Sequence, residues 1–481
     1  MEQPRYKEQI DAWVDAHSEQ LLEDLKLLVR IPSVKGEPED GMPFGRMPAQ
    51  AVSAMQSLMD AYGLRTTNYE NYCVAGDLDG TGEKRLDILT HLDVVPVSDE
   101  WTKTKPYEPS VEGDRIYGRG TSDDKGPAVA ALYAMRCIRE LGIPLAGGVR
   151  LICGSDEESG SKDLAYYYER EQEALYSISP DANYPLINIE KGRLSKTFWK
   201  KGMKGRTGSG DGKACVVRIA AGDTANIVPG RGILVLSGAS EQELARAAAK
   251  TGAAEDAFSW KRQGEELVVT VRGNTAHAAF PQDGINSATL ILALLSHLDL
   301  SDEDEGTQTL RKIGQLWPHG DHCGAALGVD YAEEESGSLT MSLDILEYDS
   351  SPEGACVKGC FDCRAPLCCN DSNLTAKVKA RLEEAGLEME DGPMVPAHYV
   401  SADSELVTKL LESYALYFGK EGKPLAIGGG TYVHGLERGV AFGCSVPEVD
   451  NRMHGDDEFM EISMLMKSTK ILADAILRLC G

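Results

Sequence analysis

Five short stretches of this 481-residue chain carry side chains able to hold a metal ion or move a proton. They are His91-Leu92-Asp93, Gly118–Gly126 (GRGTSDDKG), Asp156-Glu157-Glu158-Ser159-Gly160, Ser179-Pro180-Asp181 and Arg452-Met453-His454. Imidazole and carboxylate donors without cysteine form a borderline-hard ligand set, suited to zinc, manganese or cobalt at a hydrolytic site rather than to a structural cysteine site. In this reading His91 binds an ion, and Asp93, two residues on, accepts the other ring N–H and fixes the tautomer. Asp123 has two oxygens with which to bridge a pair of ions. The adjacent Glu157 and Glu158 divide into one ligand and one base. Two ions would lower the pKa of a water to about 7 and stabilise the oxyanion of a cleaved amide. Each stretch alone has a plainer reading: a surface loop for His91–Asp93, a solvated face for the acidic pair, a helix cap for Asp123-Asp124. The five together, in this order, favour the metal site.

The elements must bring these stretches to one place. In open parallel sheets ligands gather beyond the carboxyl ends of the strands. His91 follows an apolar strand at 86–90, and Glu157 and Glu158 follow another at 149–154. His454 follows the 440–442 strand by a loop. An amphipathic helix is expected over 8–31, ended by Ile31-Pro32-Ser33, and a second over about 48–62. Pro127 stands at a helix start that continues through 128–141, and 186–190 is a further strand. From about residue 193 the pattern changes. Residues 213–272 hold alternating strands, and a helix covers 286–298. Further strands lie near 338–348 and 356–363, and a helix at 373–385. After Gly392-Pro393 the first pattern returns with a helix at 402–418, a strand at 439–443 and a helix at 460–479. The expected fold is α/β. A mixed, mostly parallel sheet with helices on both faces is formed by 1–192 and 395–481, and an α+β domain is inserted over 193–394. The glycine-rich stretch 207–212 (TGSGDG) reads as a loop and not a phosphate cradle. Ala214 follows Gly212-Lys213 where Ser or Thr is needed, and Thr207 stands where the first Gly should be.

Bulk properties exclude several classes. A net charge of −27 argues against nucleic acid and against anionic membranes. The N-terminal MEQPRYKEQIDAWVDAH lacks an apolar signal region, and no apolar run approaches the roughly 18 residues of a membrane span. A cytoplasmic protein is expected, with its 12 cysteines reduced. The cluster Cys356, Cys360, Cys363, Cys368, Cys369 matches no paired C-x2-C pattern and has no nearby histidine. Small buried thiols are the favoured reading over a second metal site.

The order and wording of the motifs resemble the M20 family of dinuclear metallopeptidases and deacylases, over most of the chain. GRGTSDDKG, SDEESGSKD, SPDANYP, GGGTY and EVDNRMHGDDE are most similar to its dipeptidase V branch. The resemblance implies that His91, Asp123 and Asp181 hold one ion, and that His454, Glu158 and the shared Asp123 hold another. It makes Glu157 the general base and Asp93 the orienting carboxylate, and it implies a cis peptide bond at Asp123-Asp124. Asn274–Pro281 resembles the family's lid histidine motif, so His277 would donate to the oxyanion. Asn226 and Arg364 match residues that grip the substrate, the arginine offering a planar fork to a terminal carboxylate. The turn at 428–431 would bring N–H groups of Gly429, Gly430 and Thr431 to the same carboxylate. One departure is Val433-His434, where relatives commonly carry an arginine, and this leaves the subsite preference open.

The resemblance thus implies a metal-dependent dipeptidase with two divalent ions, zinc first and manganese or cobalt as alternatives, acting on small peptides with a free N-terminus. An insert nearly twice as long as the lid of dimeric members implies a monomer, hinged near 192–194 and 393–396. Two alternatives stand beside this: an N-acyl amino acid deacylase of the same family, and a non-catalytic peptide-binding protein.

Overall fold

Four strands that lead into the candidate metal-binding stretches lie side by side in the computed structural model, which describes residues 6–204, 212–351 and 354–481. Gly148–Gly154, Lys84–His91, Tyr176–Ser179 and Gly439–Ala441 are neighbours in that order and run parallel. The register sets His91 against Gly154, Ile88 against Ile178 and Ala441 against Ser179. All four carboxyl ends therefore reach one edge of the sheet. Antiparallel strands Arg65–Tyr69 and Cys73–Leu78 extend it on one side and Ile187–Glu190 on the other. Parallel pairing is thus confined to the centre, where residues are buried almost throughout. Such strands need cover on both faces.

Helices supply that cover. Lys125–Glu140 is buried from Lys125 to Ile138 because it packs against Ser18–Val29 and Ile462–Cys480 as well as the sheet. Pro127 falls in its first turn, where a missing N–H goes unnoticed. The single helix expected over 8–31 is two, Lys7–Ala16 and Ser18–Val29. His17 breaks it. Its ring stacks on Trp13 at 3.9 Å, and its Nδ1 lies 2.7 Å from the Trp13 carbonyl oxygen. The apolar periodicity runs on through this break, so the pattern does not reveal it.

The chain divides into two compact units. The first comprises Met1–Ile189, Tyr399–Leu425 and Gly430–Gly481, and the second Glu190–His398 and Ala426–Gly429. The second unit is built on an antiparallel sheet in the order Phe258–Gln263, Glu266–Arg272, Arg231–Ser237, Cys215–Ala221, Thr340–Ser351, Gly354–Ala365, Lys196–Met203, Glu388–Met389. Burial alternates along its strands, as it must when one face meets helices and the other meets water. Ser287–Ser296 and Glu305–Leu316 pack on it, each started by a side-chain cap, Asn286 and Asp304. The long pair Thr340–Ser351 and Gly354–Ala365 shifts register between Leu343 and Ile345, leaving Asp344 as the extra residue of a bulge. The segments that enter and leave this unit are bonded to each other, Arg193 to Val395 in both directions.

Cys360, Cys363 and Cys369 are buried, while Cys356 and Cys368 are exposed. Among the described residues these cysteines form no metal-ligating group. Of the TGSGDG loop, 207–211 lie outside the described residues. No helix among the described residues is long and apolar enough to cross a membrane.

Candidate active site

The carboxyl edge of the first sheet gathers five side chains. His91 closes its strand, Glu158 sits in the one-turn helix Glu157–Ser159 after Gly154, and Asp181 follows Ser179. Asp123 comes from the loop before Lys125–Glu140, and His454 from the long loop after Gly439–Ala441. One oxygen of Asp123 lies 3.0 Å from His91 Nε2 and the other 2.9 Å from His454 Nε2. His91 Nε2 is also 3.6 Å from Asp181, and His454 Nε2 is 3.2 Å from Glu158. Donor atoms of His91, Asp123 and Glu158 all lie within 4.8 Å of one another. The Asp123-Asp124 peptide bond is cis.

The donor set fits a divalent ion. His91 Nδ1 lies 3.0 Å from the backbone oxygen of Asp93, a pure acceptor, so Nδ1 carries a proton and Nε2 is the atom left to ligate. That Nε2 is buried and, despite its closeness to two carboxylates, has no aligned hydrogen bond. Carboxylates crowd both imidazoles. Burial works to discharge His91, but Asp123, Asp181 and Asp93 prevail and raise it well above the usual range. Asp123 and Glu158 hold His454 up to about 11. Burial opposes ionisation of Asp123, yet His454 and His91 hold its carboxyl well below the usual range. Burial and the neighbouring Asp123 push Glu158 up to about 7, against the pull of His454. Burial also lifts Glu157 far above an ordinary glutamate. His91 opposes this, and Asp181, Glu158 and Asp123 add to it. A cluster with this much negative charge and two imidazoles is one that a cation satisfies.

Other buried acids shape the site by gripping backbone. The Asp93 carboxylate, expected to orient His91, stands 3.5 Å from Nδ1 and instead accepts the amides of Glu157 and Glu158 at 3.2 and 3.1 Å. The tautomer is set by its carbonyl oxygen and the acidic turn by its side chain. Glu458, fully buried, accepts N–H groups of Gly120, Ser122 and Asp123 and pairs with Arg119 at 2.6 Å, so the His454 loop holds the Asp123 loop. Asp163 accepts the amides of Ser155 and Asp156 and the Tyr432 hydroxyl. Asp124 accepts the His91 amide at 3.0 Å. Lys125 donates to the carbonyls of Leu28 and Ile31 at 3.1 and 2.8 Å. Sequence reasoning did not single out Glu458, Asp163 or Asp124 for these roles.

His277, Asn226 and Arg364 gather within the second unit. Ile227 pairs with His277, and Ala278 N–H donates to the Asn226 carbonyl at 2.8 Å. Ala279 N–H donates to His277 Nδ1 at 3.1 Å, which leaves the ring proton on Nε2. Arg364 is buried. Asp362 takes its Nε and Nη2, and its Nη1 donates to the Gly428 carbonyl at 2.7 Å. Much of the fork expected to face a substrate is thus engaged by the protein. Of the 428–431 turn, Gly429 belongs to this unit and Gly430 and Thr431 to the first.

The model for peptidase family M20/M25/M40 matches residues 88–478. This chain belongs to that family. A Bacillus subtilis relative named "Putative dipeptidase YtjP" is 32% identical over 472 residues, covering 96% of this chain and 97% of its own. A Staphylococcus haemolyticus relative, "Putative dipeptidase SH1171", is 28% identical, covering 97% and 98%. Human carnosine dipeptidase 1 superimposes with a TM-score of 0.59 at 15% identity, covering 99% of both chains. That last likeness is one of fold. As a member of peptidase family M20 the chain is a hydrolase, and the α/β fold with its second, α+β unit is that family's.

Proposed function

We propose that this M20 family member is a metal-dependent dipeptidase, with its ions held at the carboxyl edge of the first unit's sheet. His91, Asp123 and Asp181 would hold one divalent ion, and His454, Glu158 and the same Asp123 a second. Zinc is the first choice for this donor set, with manganese or cobalt as alternatives. The observation that carries the reading is Asp123 itself, with one oxygen 3.0 Å from His91 and the other 2.9 Å from His454. Held by these residues, divalent ions would supply Lewis acidity, which lowers the pKa of a water to about 7 and stabilises charge on a carbonyl oxygen. Glu157 takes the proton of the attacking water and delivers it to the leaving amine. Asp93 ties the amides of Glu157 and Glu158 together, so base and ligand keep a fixed spacing.

The second unit is read as the lid, with boundaries near 193 and 394. His277 donates its Nε2 proton to the developing oxyanion. Asn226, Arg364 and N–H groups of Gly429, Gly430 and Thr431 bind the terminal carboxylate of a small peptide. Relatives named as dipeptidases support the substrate class, and the length of the inserted unit supports a monomer. The reading includes a cytoplasmic location.

The proton-shuttle role is tested by Glu157→Gln. It should lower kcat by about 10²–10⁴-fold, as expected for a lost general base, while metal content by elemental analysis stays at the wild-type level. Metal-replete variant with near wild-type turnover would remove Glu157 from the mechanism.

A further inference from the structure

Asp344 is a carboxylate in the middle of an antiparallel sheet, and it is fully buried. It is the extra residue of the bulge between Leu343 and Ile345. Bulges turn a side chain away from its regular direction and recur beside functional sites. Here the bulge sets Asp344 against the 222–226 loop. Its Oδ2 accepts the backbone N–H of Asn226 at 2.8 Å. Asn226 has a φ of +67°, a left-handed conformation that asparagine reaches more readily than other non-glycine residues. The loop lies directly on the bulge, since a Cβ on Gly222 would overlap the Asp344 carbonyl oxygen. The Asn226 side chain is exposed, and its backbone carbonyl oxygen accepts the N–H of Ala278, the residue after His277. A buried acid costs stability unless it is bonded, and burial pushes Asp344 up to about 7. The mechanism above gives this carboxyl no chemical task.

We infer that Asp344 is a positioning residue for substrate capture, acting through the backbone of Asn226 to fix the loop that presents its side chain beside His277. The inference rests on the reading of Asn226 as a residue that grips the peptide. Asp344 itself touches no substrate. Its neighbour Asp362 stands in a parallel relation to Arg364, with Nε to Oδ1 at 2.6 Å, so Asn226 and Arg364 are each held by one buried aspartate.

Steady-state kinetics on the best-cleaved dipeptide, with the metal-loaded full chain, test this. Asn226→Ala and Asp344→Ala should each raise KM about tenfold, the worth of one hydrogen bond of about 1.4 kcal/mol, with kcat changed far less. Asp344→Asn keeps a carbonyl oxygen for the Asn226 N–H and should bring KM back to within about threefold of wild type. The double variant Asp344→Ala/Asn226→Ala should be no worse than Asn226→Ala alone, because both remove one interaction. Asp344→Leu, which fills the volume without an acceptor, replaces Asp344→Ala if the latter does not fold. A raised KM in Asn226→Ala with unchanged KM in Asp344→Ala or Asp344→Leu would overturn the inference, and so would additive effects in the double variant. Unchanged KM in Asn226→Ala would overturn the reading of Asn226 itself, and the inference with it.

Discussion

Glu458 accepts three backbone N–H groups of the loop that presents Asp123 and pairs with Arg119 at 2.6 Å. Its loss should therefore be felt at the metal. We expect Glu458→Gln to weaken metal binding about 10–100-fold, the usual effect of removing an outer partner of a ligand. Titration calorimetry checks this, and wild-type affinity would contradict it. Asp344 gives a pH prediction. Burial first, then Asp362, raise it to about 7, against the Ser342 hydroxyl, the Asn226 N–H and Arg364, with the Cys360 thiol the other titratable group beside it. An acid whose folded pKa is raised binds its proton more tightly in the folded chain. Its contribution is then present at low pH and is lost as pH rises from about 4 to about 7. Asp344→Asn should flatten the fall in Tm over that window, and parallel Tm profiles of variant and wild type would contradict the assignment. The residues that gather at the carboxyl edge of the first unit's sheet were legible because histidine and carboxylate at loop starts carry a chemical signature. Glu458, Asp163 and Asp344 were not, because their partners are backbone amides and any acid in a loop looks the same. In the alternation Leu343-Asp344-Ile345, Asp344 even reads as an outward position, and only the bulge turns it inward.

At the scale of elements, the site depends on how closely the Gly148–Gly154 strand can approach its neighbours. A Cβ on Gly154 would overlap both the Tyr432 hydroxyl and the Asp163 carboxylate, the groups that anchor the turn leading to Glu157. Gly154→Ala should destabilise the chain by about 1–3 kcal/mol, as overpacking does, and lower the Tm seen by calorimetry. An unchanged Tm would show that the neighbours yield freely. Three of the four parallel central strands were legible because buried parallel strands read as continuous apolar runs; Tyr176–Ser179, half of it serine, was not. The break at His17 was not, since a side-chain ring and its bond to a carbonyl oxygen leave no mark on apolar periodicity. Arg65–Tyr69 escaped for a similar reason: it is partly exposed and polar, and the pattern that marks a central strand is missing there, while at Ile187–Glu190 the strand was expected but not its antiparallel pairing.

For the whole molecule, the change near residue 193 from strands buried throughout to strands of alternating burial separates two kinds of sheet, and that difference is visible in the residues themselves. Which residues meet a substrate is not written in either pattern, because it depends on chain segments far apart in sequence. The inserted unit's length leads us to expect a monomer, which light scattering on the eluting protein would show as the mass of one chain; a dimer mass would contradict it. The central claim, a metal-dependent dipeptidase, is tested most directly by hydrolysis of a small panel followed with ninhydrin: Ala-Ala, Leu-Leu, β-Ala-His, a tripeptide and N-acetylornithine. The protein is stripped with EDTA and then given zinc, manganese or cobalt. The account predicts that dipeptides alone are cleaved, only after an ion is restored. Cleavage of the acyl amino acid alone, cleavage that survives metal removal, or silence across the panel would contradict it.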